Sequence, residues 1–121
     1  MKSMIAVAVA AASLALVPSA VAATSHIHVA PEKVKAGKSV AIYGSVGSGC
    51  HQGSQVTLIS KAFKGATRSR FAGVSAVLTK VGKFGLYAVS VRVSSAAGKG
   101  SFTVTGRCGG GNFGSAPLKV G

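Results

Sequence analysis

The stretch Phe84-Gly85-Leu86-Tyr87-Ala88-Val89-Ser90-Val91-Arg92-Val93 decides the fold class. Apolar residues alternate with small or charged ones, the period of a half-buried strand. Arg92 must face water, so Tyr87, Val89, Val91 and Val93 face a core. Gly82-Lys83 before it reads as a turn, and Ser94–Gly100 after it as a loop.

The same reading extends outward in both directions. Ser39–Val46 alternates, with Val40, Ile42, Gly44 and Val46 on one face. Gln55–Ser60 points Val56 and Leu58 inward. Phe71–Lys80 reads as one strand. Ser101–Cys108 puts Phe102 and Val104 inside, with Thr103, Thr105 and Arg107 outside. Leu118 and Val120 close the last strand. His26–Ala30 alternates and stops at Pro31, an edge pattern. Phe63, Phe71, Phe84 and Phe102 are expected in the core, and Phe113, in the Gly109–Gly114 turn, is expected to be exposed. Short β-rich runs separated by Gly, Ser and Asn are the pattern of an all-β sandwich. The expectation is an antiparallel, immunoglobulin-like β-sandwich of about seven strands.

Residues 1–23 read differently. Lys2 is followed by the apolar run Ile5–Val17, then Pro18 and a series of small residues. This is the pattern of a helical signal peptide, too short to span a bilayer. The domain is then 24–121, secreted, extracellular or cell-wall associated, with no membrane span after cleavage. Cys50 and Cys108 are the two cysteines, 58 positions apart. An even count in an exported chain predicts one disulfide. Cys108 shares parity with Phe102 and Val104, and Cys50 with Val40 and Ile42, so both sulfurs point to the core side.

The segments Val29-Ala30-Pro31, Val34-Lys35-Ala36-Gly37-Lys38-Ser39-Val40, Gly49-Cys50, Val56-Thr57-Leu58-Ile59-Ser60-Lys61-Ala62-Phe63 and Arg107-Cys108-Gly109-Gly110-Gly111 resemble the small secreted immunoglobulin-like proteins of actinobacteria. The resemblance covers nearly all of 24–121 and implies the fold and the bridge rather than an activity. More distantly, the strand layout is similar to the neocarzinostatin-type chromophore carriers. That likeness implies carriage of a small apolar ligand.

Composition sets the chemistry. The chain of 121 residues has 14 Lys and Arg against one acid, a formal charge of +13. Glu32 is the only carboxylate side chain, so neither a carboxylate pair nor a Ser–His–Asp triad can be assembled. The expectation is a protein that is not an enzyme. Lys61, Lys64, Arg68 and Arg70 fall in one connection, and Lys80 and Lys83 at the next turn. In a sandwich these six would form a basic end or edge for an anionic cell-wall polymer or surface. Sequence-specific nucleic-acid binding is not expected, because no recognition helix is visible.

A second candidate is a metal site. Cleavage after Ala23 would expose Thr24-Ser25-His26, whose amine, two amides and imidazole suit Cu(II) or Ni(II), with His28 assisting. His51 reads as a loop residue. Gly37-Lys38-Ser39 resembles the end of a phosphate-binding loop, but Glu32 stands where its leading Gly belongs.

Overall fold

A computed structural model describes residues 24–121; the signal-peptide reading of 1–23 lies outside these residues. Among these residues, nine strands form two sheets. β1 (Ser25–Ala30), β3 (Ser39–Val46) and β7 (Leu86–Arg92) make a three-stranded sheet in the order β1-β3-β7. β2 (Lys33–Val34), β4 (Gln55–Ile59), β5 (Ser69–Phe71), β6 (Val74–Lys80), β8 (Gly100–Cys108) and β9 (Gly111–Val120) make the other, in the order β2-β9-β8-β4-β6-β5. All pairings are antiparallel except β2 with β9.

Alternation places the core where the sequence puts it. Val40, Ile42, Val56, Leu58, Val104 and Leu118 are buried, and side chains from both sheets join one hydrophobic cluster. Phe63 is fully buried, and Phe102 is partly buried against the cluster. Tyr87, Val91 and Val93 are buried, while Val89 is half-buried at its edge. Cys50 and Cys108 are bridged and pack on the same cluster. The bridge ties the β3–β4 connection to the end of β8.

Several expectations are corrected. The run Phe71–Lys80 is not one strand. Ala72 and Gly73 both hold positive φ, 52° and 83°, and fold it into the β5–β6 hairpin. The run Phe84–Val93 becomes strand only at Leu86, because Lys83–Gly85 form a single 3-10 turn. Phe84 is therefore not core; it is 90% exposed. Phe71 is exposed too, with the Arg107 guanidinium 4.6 Å from its ring centre. Phe113 is not in a turn and is not exposed. The chain turns at Gly109 and Gly110, β9 starts at Gly111, and Phe113 packs edge-on to Tyr87 at 5.5 Å.

Gly106 makes room for that ring. A Cβ there would lie 2.5 Å from Phe113 Cζ and 2.9 Å from Ile27 Cδ1. The β8–β9 register shifts at this point, between Gly106 and Arg107. An unpaired extra residue of this kind bends a strand and re-aims its side chains.

Candidate functional site: a basic groove

The connection after β4 builds the site. Ser60 is buried and its Oγ accepts a hydrogen bond from the Ala62 N–H at 3.2 Å. That cap starts a 3-10 turn over Lys61–Phe63. Ala62 and Phe63 go into the core, and the turn's geometry leaves Lys61 and Lys64 exposed. The Ala62 carbonyl accepts from Ser94 N–H at 2.8 Å, which fastens the turn to the chain leaving β7. Ser94 Oγ accepts from Ala96 N–H at 3.1 Å and shapes the following loop.

Between these two segments lies a groove of about 790 Å³. Lys61 and Lys64 line one side, Arg92 and the Ser94–Gly98 loop the other, with Phe102 also in the wall. Three cations from two distant parts of the chain thus meet on one concavity. Lys61 and Lys64 also border a smaller concavity of about 280 Å³, with Arg70, Gly73, Val74 and Ser75. Ser75 is 2% exposed, and its Oγ has no hydrogen-bond partner among the described residues. Such an unsatisfied buried hydroxyl is uncommon and calls for an explanation. Lys35 and Lys99 line a third concavity that shares Ala97 and Gly98 with the groove. Glu32 lines none of the three.

The six cations singled out in the sequence are divided by the fold. Lys61, Lys64 and Arg70 come together. Arg68 lies in the connection before β5, outside the lining of these concavities. Lys80 and Lys83 stand at the other end of β6: Arg70 pairs with Ser75 near its start, whereas Lys80 is its last residue. They line a separate, apolar groove with His26, Tyr43, Phe84 and Leu86. Arg92 was legible only as a water-facing strand residue. Its place beside Lys61 follows from the Ser94–Ala62 bond and not from any local signal. Arg107 is held within its own turn, donating to Asn112 Oδ1 at 2.7 Å and to the Gly110 carbonyl at 2.9 Å.

Thr24 is exposed ahead of β1, and Ser25 and His26 are already strand, opposite Val46 and Ser45. Wrapping their amides around a metal would compete with that pairing. Ser25 Oγ also donates to the Phe113 carbonyl at 2.8 Å. His26 and His28 share the outer face of β1, ring centres 4.8 Å apart, and Tyr43 lies 5.3 Å from His28. Among the described residues, no three His, Cys, Asp or Glu side chains are gathered as a metal set, and no helix is long and apolar enough to cross a membrane.

No family model matches the chain, and no curated protein matches it. Among solved structures, it is similar to the alkylpurine DNA glycosylase AlkC of Pseudomonas fluorescens, bound to DNA containing an abasic site analog. The identity is 14% and the TM-score 0.47, over 81% of this chain and 30% of that one.

Proposed function

We propose that the protein is an exported, non-enzymatic module with an immunoglobulin-like sandwich, and that its basic groove holds an anionic polymer of the cell exterior. The convergence of Lys61, Lys64 and Arg92 on one groove carries the reading. A concave surface lined by one sign of charge focuses the field and concentrates an oppositely charged ligand. With one acid against 14 basic residues, almost nothing in the chain offsets that field. Arg70 extends the basic lining into the smaller concavity next to the groove. The Cys50–Cys108 bridge fits an oxidising compartment.

Binding to a purified phosphate-bearing wall polymer, followed across ionic strength, tests the proposal. The protein binds at low salt and is released as salt rises. The combined Lys61→Gln, Lys64→Gln and Arg92→Gln variant loses affinity by about tenfold or more. All three side chains are exposed, so the fold survives. Retention of full affinity by that variant overturns the assignment.

A further inference from the structure

At the opposite end of β6 from the Lys61 turn, the β6–β7 connection ends in a ring that covers nothing. Phe84 is 90% exposed and holds φ +62°, the left-handed region that a bulky residue rarely adopts. Its backbone is nevertheless tied down. Gly82 N–H donates to the Leu86 carbonyl at 2.7 Å, and Leu86 N–H donates to the Lys83 carbonyl. Gly85, at φ +76°, sits so close to β3 that a Cβ would lie 3.2 Å from the Gly47 carbonyl oxygen. The result is a short, fixed loop whose apex is an unsheltered aromatic.

Two further large apolar side chains stand exposed beside it. Leu86 is 51% exposed and Tyr43 44% exposed. Both line, with Phe84, a groove of about 620 Å³ that Lys80 and Lys83 also border. Gly or Asn at position 84 would serve folding better than Phe, and three large apolar side chains clustered in water do nothing for solubility. Strain and apolar exposure combined at one rigid point mark a surface whose partner lies outside the chain.

We propose that this loop docks the protein on an anionic lipid surface, with Phe84 and Leu86 entering the headgroup–acyl boundary and Lys80 and Lys83 meeting the headgroups. Charge complementarity selects this occupant: basic side chains gain from a negative membrane surface, and apolar area buried at the interface adds to that gain. A second copy of the chain is disfavoured, since a two-fold contact here would set Lys80 and Lys83 against themselves. The groove lining contains no Asp, Glu, Asn or Gln to meet sugar hydroxyls. Single-stranded nucleic acid would use the rings and the lysines, but Leu86 offers no stacking face.

The experiment uses the absence of Trp from the sequence. Phe84→Trp introduces a single reporter at the apex. Its emission is expected to shift to the blue on vesicles of phosphatidylglycerol and phosphatidylcholine in equal parts, and not on phosphatidylcholine alone. Phe84→Ala is expected to lower the affinity for the anionic vesicles, read from sedimentation across lipid concentration, about tenfold, with the melting temperature unchanged or raised. Lys80→Gln with Lys83→Gln lowers it as well. An unshifted emission on anionic vesicles overturns the proposal, as does undiminished sedimentation of Phe84→Ala, which would mean adsorption by charge alone. A response to a single-stranded oligonucleotide with none to vesicles overturns it in favour of nucleic acid.

Discussion

Tyr87 reaches across the middle of the three-stranded sheet and donates its phenol hydrogen to the His26 carbonyl oxygen at 3.1 Å. The two residues belong to the outer strands β7 and β1. Gly44 of β3, whose register partners are Ile27 and Tyr87, lies between them. The missing side chain at Gly44 opens the path. A Cβ there would run into the His26 carbonyl and come within 3.0 Å of the Tyr87 hydroxyl. One glycine thus lets a buried tyrosine clasp both edges of a narrow sheet.

Gly44→Ala should therefore break the clasp. Forcing a methyl into that space costs about 1–3 kcal/mol, the usual penalty for overpacking. Urea unfolding measures it. A shift in the midpoint no larger than that of a surface Gly→Ala would mean that the clasp contributes little.

Tyr87→Phe removes the hydrogen bond while keeping the ring against Phe113. The expected loss is about 1 kcal/mol near neutral pH. Burial pushes the Tyr87 phenol above its ordinary value of 10.0. The folded state then keeps its proton at a pH where the unfolded chain gives it up. That contribution is complete below pH 10 and declines as pH rises above it. The difference in unfolding free energy between wild type and Tyr87→Phe should be constant up to about pH 10 and narrow from there to about pH 11. A constant difference over that window would contradict the assignment.

The Cys50–Cys108 bridge spans 58 positions. On the chain-entropy account, closing a loop of that size stabilises by about 4 kcal/mol. Reductant, or Cys50→Ala with Cys108→Ala, should lower the melting temperature by more than ten degrees, given about 4–8 °C per kcal/mol for a chain of this size. Comparable melting with and without reductant would show that the bridge acts locally.

Of the 14 Lys and Arg only Lys2 lies outside residues 24–121, so 13 basic residues stand against one acid in the folded domain and repel one another. Salt screens that repulsion. Melting temperature should rise with sodium chloride between about 0.01 and 0.3 M, where the screening length falls below the spacing of surface charges. A flat or falling curve would refute this.

Alternation alone was enough for much of the fold. Ser39–Val46 is a strand over the same eight residues that the period-2 pattern marks. The inward faces of β4 and β8 and the core positions of Leu118 and Val120 follow from the same rule. The two cysteines were paired correctly by count. Where the reading failed, local backbone chemistry outweighed hydropathy. Ala72-Gly73 at positive φ splits one apolar run into two strands, and the turn at Lys83–Gly85 lifts Phe84 out of the core. Gly82 and Gly85 were the available signals for that turn.

The sites were only half legible, for a physical reason. A sequence shows which face of its strand a side chain takes, because that depends on spacing within a few residues. It does not show which strand ends lie together, because that depends on pairing between distant segments. Lys61 and Lys64 were visible as a basic connection. Arg92 joined them only through the Ser94–Ala62 hydrogen bond. Lys80 and Lys83, close to them in sequence, were carried away by the length of β6 and set beside Phe84. Charge that reads as one patch along the chain was divided in three dimensions by the rise of a single strand.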